Sequence, residues 1–487
     1  MASLNALETP VSIASDAERP LCVDLDGTLV KSDTLVDSLA VLARHDLSAL
    51  LHVPGWLLNG KAHLKSQVTS RVSLDVNHLP YNQTLLTYLE EEYAAGRKLY
   101  LATGADSALA HRIAAHLPIF EDVLASDGKT NLTGHDKLQQ LEHRFASTGF
   151  DYIGNAIPDL PLLKSAQRAM VANPDLGLSF GLKVQKIQVS RRFDDRPNWV
   201  AAVARAIRVH QWAKNVLVFL PLLLAHALKR NLIAASVAAF ACFCLTASAT
   251  YILNDLLDIE ADRAHHKKRL RAFASGNLSI QAGLAIMVVF LALSFSIAYF
   301  LPRAFLTYLG LYLITTVAYS FALKRIVLLD VVVLSSLYTI RMLAGAAATS
   351  TPISPWLAAF AIFLFLSLAM VKRFSELQNL NTRGLTPANG RGYLLVDIEQ
   401  LRSFGTASAY ASIVVFAMYI SGKDVTALYH HPARMWLITP LMILWLSRIW
   451  LLAGRGILNE DPVVFALTDR MSLLMGLGVL FIAFAAL

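Results

Sequence analysis

The chain has 487 residues, of which 55% are hydrophobic and 16% charged, and its formal net charge is +8. This composition is too apolar for a soluble protein of this length and predicts a membrane protein. The positive charges gather in alternate loops between apolar segments, as expected on the cytoplasmic side of a membrane, and they form no basic stripe with interleaved aromatic residues, so nucleic acid is excluded as a partner.

The apolar residues are unevenly distributed and divide the chain into three parts. Residues 1–190 are predicted to form a soluble domain, 191–209 a linker leading to a membrane-surface helix, and 210–487 a membrane domain. The first twenty residues contain acidic residues and no apolar segment, so no secretory signal is predicted and the soluble domain is expected in the cytoplasm. Cys22, Cys242 and Cys244 lack disulfide or metal-ligand spacing and are expected to be packing residues.

The soluble part alternates short apolar strands with helical patterns. Strands are predicted at 21–23, 98–102 and 152–153, each followed by a polar turn that contains glycine. This order is typical of an α/β fold with a parallel sheet, and the largely helical stretch 33–95 is long enough for a small cap.

Two aspartates, Asp24 and Asp26, directly follow the first predicted strand, which places them at the carboxyl edge of the sheet, where ligands bind in open α/β folds. One carboxylate can attack a phosphoryl group while the other protonates the leaving oxygen. A magnesium ion can neutralise charge between the phosphate and Asp24. The pattern therefore indicates phosphoryl-transfer chemistry.

The motif Asp24-Leu25-Asp26-Gly27-Thr28 resembles the haloacid-dehalogenase (HAD) superfamily of phosphatases. Further motifs follow in the family's order: LATG at 101–104, GHDK at 134–137 and GNAIPD at 154–159. The resemblance implies a Rossmann-like fold, Asp24 as the catalytic nucleophile, Asp26 as the catalytic acid/base, and phosphate binding by Thr103 and Lys137. It also implies magnesium bound by Asp24, Asp26, Asn155 and Asp159.

Asn155 departs from the family pattern, which usually has an acidic metal ligand at this position. An amide oxygen can bind magnesium but supplies no charge, so the site depends on whether Asp159 compensates. The sequence leaves open both an active phosphatase and a fold that has lost its activity and become regulatory.

The second part of the chain contains about nine apolar stretches of membrane-spanning length. They lie at 212–228, 232–253, 279–300, 304–322, 326–348, 354–371, 403–421, 433–452 and 470–487. With a cytoplasmic N-terminus, the loops richer in Lys and Arg also lie inside. The protein is therefore expected in the inner, cytoplasmic membrane, with the soluble domain and both active sites facing the cytoplasm and the C-terminus outside.

Three aspartates lie at the cytoplasmic end of the second predicted span. They are Asp255, Asp258 and Asp262, and Asn254 lies beside them. A spacing of three and four residues puts all three on one helical face, where the carboxylates repel one another unless cations neutralise them. Magnesium suits such a site because it completes its shell with water and substrate phosphates, so a diphosphate is the natural ligand. Basic residues from His265 to Arg271 can hold the same anion.

The motif NDxxDxxxD at 254–262 and the basic loop after it resemble the UbiA superfamily of membrane prenyltransferases. The likeness extends over about 200–487 and includes HQWAKN at 210–215, YSFALKR at 319–325, and Asp330 followed by Arg341. It implies an all-α membrane fold, with Asp255 and Asp258 as catalytic residues and a magnesium site that also includes Asp262.

Family members that use an isoprenyl diphosphate generally carry a second aspartate-rich motif in the loop after the sixth helix. This chain has VKRFSEL at 371–377, and its next acidic residue after Glu376 is Asp397. A cationic loop and an acidic one together suit a donor with a diphosphate and a separate phosphate, such as phosphoribosyl pyrophosphate. With HQWAKN and DPVVFA at 461–466, the pattern resembles the branch that transfers phosphoribose to decaprenyl phosphate.

The resemblance and the charge pattern together nominate ten substrate-binding residues in the membrane part. They are Lys214, Asn254, Lys268, Arg271, Tyr319, Lys324, Arg341, Lys372, Arg373 and Glu376. Plain alternatives stand beside several of them: positive-inside anchoring for Lys372 and Arg373, and membrane-belt or core packing for Tyr319 and Tyr338.

The resulting hypothesis is transfer of 5-phosphoribose from phosphoribosyl pyrophosphate to a polyprenyl (decaprenyl) phosphate, after which the phosphatase domain removes the 5-phosphate. One alternative is an aromatic prenyltransferase of lipoquinone biosynthesis, and another is a non-enzymatic lipid-binding membrane protein. Homo-oligomer formation is compatible with the sequence but not indicated by it.

Overall fold

The computed structural model of the protein describes residues 19–226, 228–382, 384, 392–458 and 461–487. Most of the N-terminal segment on which the prediction about a secretory signal depends lies outside the described residues. The chain forms two compact units. The first contains the described residues up to Ala206 together with Ile252–Ala285, and the second contains Ile207–Tyr251 and Ile286–Leu487.

The first unit is built on a six-stranded parallel sheet with strand order β3-β2-β1-β4-β5-β6. The strands are Leu21–Val23 (β1), Leu99–Asp106 (β2), Phe120–Ser126 (β3), Asp151–Gly154 (β4), Ala169–Ala172 (β5) and Val189–Phe193 (β6). The order reverses on either side of β1, and such a switch point opens a crevice at the carboxyl ends of the strands. The predicted α/β fold is confirmed.

Helices connect the strands and continue to the end of the soluble sequence. They are Thr34–His45 (α1), Val53–Leu58 (α2), Lys61–Thr69 (α3), Gln83–Ala94 (α4), Ser107–His116 (α5), His135–Arg144 (α6), Leu160–Ser165 (α7), Leu176–Val184 (α8) and Trp199–Ala206 (α9). Helices α1 to α4 occupy the stretch in which a helical cap is predicted. Strand β6 includes residues on both sides of the predicted domain boundary at 190.

The sheet is apolar on both faces because successive side chains of a strand point to opposite sides. Leu21 and Val23 belong to one buried cluster, and Cys22 between them belongs to the other. All three are fully buried. This arrangement fixes β1 at the centre of the unit and holds the aspartates that follow it.

A buried ion pair joins Arg97, which lies two residues before β2, to Asp151 of β4. The Asp151 carboxylate is fully buried and also accepts a hydrogen bond from the backbone N–H of Arg168 at 3.0 Å. We expect Arg97→Met to destabilise the domain by about 3–5 kcal/mol, because it leaves this carboxylate without its cation. Scanning fluorimetry of the full chain in detergent measures the fall in melting temperature.

The control for this prediction is Arg144→Met, which removes an ion pair with Asp122 in which both side chains are about two-fifths exposed. Exposed pairs contribute at most about 1 kcal/mol. An equal fall in melting temperature for the two variants would contradict the assignment of Arg97 as a core residue.

The remaining helices run from residue 220 to the C-terminus. They are Leu220–Leu224 (α10), Arg230–Leu257 (α11), Ile259–Ala264 (α12), Ile280–Ala298 (α13), Arg303–Phe321 (α14), Leu329–Thr349 (α15), Pro355–Thr382 (α16), Ile398–Ile420 (α17), Lys423–Thr426 (α18), Ile438–Gly454 (α19), Pro462–Thr468 (α20) and Arg470–Ala486 (α21).

Among the described residues, seven helical segments are long and apolar enough to cross a membrane. They are Arg230–Leu257, Ile280–Ala298, Arg303–Phe321, Leu329–Thr349, Pro355–Thr382, Leu395–Ile420 and Pro432–Gly454. The first and last predicted spans correspond to shorter apolar segments, Val209–Leu224 and Arg470–Ala486. The predicted count of nine is therefore not confirmed.

The sixth predicted span ends later than its hydropathy indicates. Residues 371–377, expected in a loop, lie inside α16, which continues to Thr382. The helix continues because its charged side chains have partners there: Arg373 pairs with Glu376 one turn later at 2.7 Å and with Asp330 of α15. The prediction that this motif forms a loop is wrong.

Candidate functional site

The carboxyl end of β1 carries two aspartates whose oxygens are held by hydrogen bonds. Asp24 Oδ1 accepts from Lys137 Nζ at 2.8 Å, and its Oδ2 accepts from the Thr28 hydroxyl at 3.2 Å. Asp26 Oδ1 accepts from the backbone N–H of Thr34, at the start of α1, at 2.7 Å. The structure thus brings Asp24 and Lys137 together, 113 residues apart in sequence, as predicted for a phosphate site.

The turn between these aspartates and α1 requires glycine at position 27. Gly27 has a φ of +78°, and a Cβ there would lie 2.0 Å from the Asn155 side-chain nitrogen. Asn155 follows β4, the strand next to β1. The neighbouring strands therefore place the Asn155 amide against the aspartate loop, where an acidic ligand is usual in the resembling family.

Burial changes the protonation of the two carboxyl groups. It raises the pKa of Asp24 to about 6, against the opposing effect of Lys137. Burial, with a further contribution from Asp33, raises the pKa of Asp26 to about 7. Although burial alone would lower the pKa of Lys137, Asp24 and Asp159 hold it above its usual value, so Lys137 is a cation. Two neighbouring carboxyl groups whose pKa values are raised toward neutrality can supply both a nucleophile and an acid.

Asp159 holds a loop in this structure. One carboxylate oxygen accepts from the Tyr152 hydroxyl at 2.7 Å, and the other accepts from the backbone N–H groups of Asn155 and Ala156 at 3.0 and 3.2 Å. Asp159 also lines the cavity beside Asp24, and its metal-binding role remains a prediction. Asp24, Asp26 and the Asn155 amide line one cavity and present the oxygen ligands that magnesium prefers.

Thr103 is fully buried in β2, and its hydroxyl accepts from the backbone N–H of Ala105 at 3.0 Å. Its phosphate-binding role remains a prediction. The next residue, Gly104, lines the cavity, as does Lys65 of α3, whose ammonium donates to Asn131 at 2.7 Å. Lys65 was not predicted, because a lysine in a helical cap carries no sequence signal that distinguishes it from a solvated one.

The second predicted site lies where α11 ends and α12 begins. Asp255 is in the last turn of α11, Asp258 lies between the helices, and Asp262 is in α12. Arg271 Nη1 binds Asp255 at 3.2 Å and Asp262 at 2.6 Å, whereas Asp258 pairs with Arg44 of α1 at 3.8 Å. The structure therefore gathers two of the three carboxylates on one cation, whereas Asp258 pairs with a residue of α1, and the metal-binding role of the three aspartates stays a prediction.

Asp255 and Asp262 are almost fully buried. Burial raises the pKa of Asp262, while Arg271 opposes the rise. Buried carboxylates that converge on one cationic group suit a divalent cation as well. Across the described ranges, however, the structure forms no cluster of three or more His, Cys, Asp or Glu side chains suited to a metal ion.

Two predicted lysines meet on a single carboxylate in the second unit, and we call this group the Asp461 cluster. Lys214 and Lys372 both bind Asp461 Oδ2, at 2.6 and 3.0 Å, and the Tyr338 hydroxyl donates to Oδ1 at 3.4 Å. Although burial alone would raise it, Lys372 and Lys214 hold the pKa of Asp461 well below its usual range. Two ammonium groups face one carboxylate, so the cluster has a net positive charge.

The predicted arginines have protein partners. Arg373 binds Asp330, Glu376 and the Tyr319 hydroxyl, the last at 3.0 Å. Its side chain is 2% exposed, which indicates that it joins helices as a structural residue.

Arg341 has the same structural character. It donates to Asn215 at 2.8 Å and to the Tyr312 hydroxyl at 2.9 Å, and it is buried. Lys372, with a side chain one-third exposed, is better placed to meet a ligand.

The other predicted binding residues lie at helix ends. Asn254 is in the last turn of α11, and Lys268 and Lys324 are in short 3₁₀ turns. Asn254 and Lys324 are half-buried and Lys268 is exposed. Their ligand roles remain predictions. Asp461, at the centre of the Asp461 cluster, and Asn215, which accepts from Arg341, were not predicted as site residues. Both stand in motifs on which the resemblance to the membrane transferases rests.

Known proteins resemble the whole chain and its membrane part. An uncharacterised protein of Sinorhizobium fredii is 39% identical over 465 residues, which are 95% of this chain and 90% of that protein. The nodulation protein NoeC of Azorhizobium caulinodans is 34% identical over 289 residues, 58% of this chain and 93% of that protein. The decaprenyl-phosphate phosphoribosyltransferase of Mycolicibacterium smegmatis is 34% identical over 233 residues, 47% of this chain and 72% of that protein.

The model of the UbiA prenyltransferase family matches residues 215–465. This segment includes the aspartate motif and, except for Lys214, the Asp461 cluster, and it contains all seven helical segments among the described residues that are long and apolar enough to cross a membrane. The protein is therefore an integral membrane protein that belongs to the UbiA prenyltransferase family.

Proposed function

We propose that the UbiA-family part transfers 5-phosphoribose from phosphoribosyl pyrophosphate to a polyprenyl phosphate. Decaprenyl phosphate is the acceptor that we use to test this reaction. The bond between the anomeric carbon and the diphosphate oxygen breaks, an oxygen of the acceptor phosphate bonds to that carbon, and diphosphate leaves. The acceptor is already an anion, so catalysis needs alignment and neutralisation of the departing charge but no strong base.

The observation that carries this proposal is the Asp461 cluster. Lys372 stands in the motif where relatives that use an isoprenyl diphosphate carry acidic residues, and with Lys214 it leaves a net positive charge. A second anionic group on the donor, such as a 5-phosphate, is the ligand that such a cluster favours. The relative named as a decaprenyl-phosphate phosphoribosyltransferase supports the same transferred group and acceptor.

The aspartate motif supplies the diphosphate end in this proposal. Asp255, Asp258 and Asp262 would hold Mg²⁺, which when bound neutralises charge on the diphosphate. Arg271 already contacts two of these carboxylates and can donate to the same anion. The positive-inside bias supports a cytoplasmic site, where the water-soluble donor is found.

We further propose that the α/β domain is a HAD-type phosphatase that removes the 5-phosphate of the lipid product. Asp24 attacks phosphorus, the ester P–O bond breaks, and Asp26 protonates the leaving oxygen. Water then releases inorganic phosphate from Asp24. Asp24, Asp26 and Asn155 would hold Mg²⁺, and Lys137 orients the nucleophile. Attachment to the transferase raises the local concentration of the product.

The donor is tested with washed membranes that contain the full chain, decaprenyl phosphate and phosphoribosyl pyrophosphate labelled in the ribose. We expect magnesium-dependent transfer of the label to lipid. Labelling only from an isoprenyl diphosphate, with an aromatic acid as acceptor, would show the alternative prenyltransferase and refute the proposal.

Lys372→Met is expected to raise the KM for phosphoribosyl pyrophosphate about 10- to 100-fold, because it removes a charge-assisted contact worth about 1.5–3 kcal/mol. Lys423→Met, which removes an exposed lysine of α18, is the matched control and should leave KM unchanged. An unchanged KM in both variants would show that Lys372 only anchors its helix in the membrane.

A further inference from the structure

One wall of the cavity that Asp24 lines is formed by residues from outside the predicted soluble domain. The cavity, about 370 Å³, is lined on one side by the aspartate loop and on another by residues that precede and begin α13: Phe273, Leu278, Ser279, Ile280 and Gln281. These residues belong to the UbiA-family segment of the chain. We call residues 273–281 the wall segment.

Buried contacts hold the wall segment against the phosphatase domain. Arg263 pairs with Asp37 of α1 at 2.9 Å, and the exposed fractions of their side chains are 5% and 0%. Arg263 also donates to the Ser32 hydroxyl and to the backbone carbonyl of Ala274, each at 3.2 Å. A buried pair of this kind is costly to separate, so α12 and the wall segment are fixed to α1.

The wall segment approaches the aspartate loop so closely that one position requires glycine. Gly276 has a φ of +68°, and a Cβ there would lie 2.7 Å from the Lys31 Cβ. Lys31 itself lines the cavity. A side chain at position 276 would therefore push the wall segment away from the cavity.

The length of α13 places this wall at the membrane surface. The helix has 19 residues from Ile280 to Ala298, so it is about 28 Å long at 1.5 Å per residue. The hydrocarbon core of a bilayer is about 30 Å thick, so a helix of this length uses all its residues to cross. Its first turn must then lie at the boundary between lipid and water, and Ile280 and Gln281 of that turn line the cavity.

We propose that the phosphatase acts at the membrane interface on a phosphate monoester carried by a lipid, and that the wall segment is its specificity element. The cavity is lined both by apolar residues, Phe273, Leu278 and Ile280, and by cations, Lys31, Lys65 and Lys137. In this proposal the apolar residues contact the lipid part of the substrate and the cations contact its phosphate. This inference rests on the proposed phosphatase function and names the segment that makes the cavity select a lipid substrate. Hydrolysis consumes water and releases inorganic phosphate and the lipid alcohol.

The test compares hydrolysis of lipid-linked and soluble substrates by the full chain in lipid nanodiscs. The synthetic 5-phosphoribosyl decaprenyl phosphate is paired with ribose 5-phosphate, and lysophosphatidic acid with glycerol 3-phosphate. We expect kcat/KM to be at least about tenfold higher for the lipid of each pair, because binding energy of the remote lipid part contributes to turnover. A kcat/KM for the soluble substrate that equals or exceeds the value for its lipid partner, in both pairs, would overturn the inference.

Gly276→Val is expected to reduce this lipid preference, measured as the ratio of the two kcat/KM values, to about threefold or less. The matched control is Gly96→Val, because Gly96 also has a positive φ but a Cβ there would meet open space. Full lipid preference in a folded Gly276→Val variant would contradict the role of the wall segment.

A second measurement does not depend on the folding of Gly276→Val. A fluorophore is attached at Leu284→Cys, which lies one turn into α13 and is 43% exposed, while the native cysteines are buried. Lipids with a nitroxide at the headgroup or at chain carbon 5 should quench it more than lipids with the nitroxide deep in the chain. Strongest quenching by the deep nitroxide, or none by any lipid, would overturn the interfacial position.

The substrates are supplied ready-made, so the two proposals can fail separately. Lipid preference without any transfer from phosphoribosyl pyrophosphate would refute the proposed transferase and keep this inference. Transfer from phosphoribosyl pyrophosphate together with faster hydrolysis of the soluble phosphates would refute this inference and keep the proposed transferase.

Discussion

Asp24→Asn is expected to reduce phosphate release by the full chain at least about 10³-fold, because an amide cannot act as the nucleophile that forms the phosphoaspartyl intermediate. The change keeps the size of the side chain, and Thr28 and Lys137 remain in place around it. Release of inorganic phosphate from the 5-phosphoribosyl lipid in nanodiscs measures the effect.

Asp136→Asn is the matched control for this prediction. Asp136 is an exposed aspartate next to Lys137 in sequence, so its loss of charge tests a general electrostatic effect without touching the cavity. The control should keep wild-type activity. If Asp24→Asn retains more than a tenth of the activity, the α/β domain is not a phosphatase that uses this residue, and a regulatory role becomes the better account.

Asp255→Asn is expected to reduce transfer of phosphoribose by at least about 10²-fold. It removes a buried carboxylate that would help to hold the Mg²⁺ that neutralises the departing diphosphate. Asp255 shares Arg271 with Asp262, so the substitution changes both the proposed metal site and the position of that guanidinium. The rate should recover in part at high magnesium concentration, which a purely structural defect would not show.

Glu260→Gln provides the comparison for Asp255→Asn, since it removes the same charge from the neighbouring short helix α12. We expect it to leave transfer within about threefold of wild type, as for a half-buried residue outside the site. Equal transfer by Asp255→Asn and the wild type would show that the reaction does not use Asp255, whereas no transfer by either would favour the non-enzymatic alternative, a lipid-binding protein with a relic aspartate cluster.

The sequence predicted the α/β domain well because its signals are local. The apolar run before Asp24, the polar turns after each strand and the order of the motifs depend only on short stretches of chain. The family resemblance, and no local signal, assigned Lys137 to the site of Asp24, and the two side chains are in contact.

Predictions that depended on distant partners were less successful. Hydropathy ended the sixth span near residue 371, but Asp330 neutralises Arg373 from another helix, so α16 continues to Thr382. The spacing of the aspartates also gave no sign that α11 ends before Asp258 or that Arg44 pairs with this carboxylate. A sequence pattern does not show a break or a partner 214 positions away.

The wall segment likewise carries no local signal that predicts its position. Its residues follow the basic loop of the membrane part and show no phosphatase motif, and only the fold brings them to the cavity of Asp24. The ion pair between Arg263 and Asp37 joins residues from the two predicted domains, so a division by composition separates them.

The most direct test of the central claim is the mass of the lipid formed by the Asp24→Asn full chain from phosphoribosyl pyrophosphate and decaprenyl phosphate. With hydrolysis blocked, we expect a decaprenyl phosphate that has gained one phosphoribosyl group, whereas the wild-type chain should yield the same lipid without the 5-phosphate. Absence of any ribosylated lipid from either chain, with decaprenyl phosphate recovered unchanged, would contradict the account.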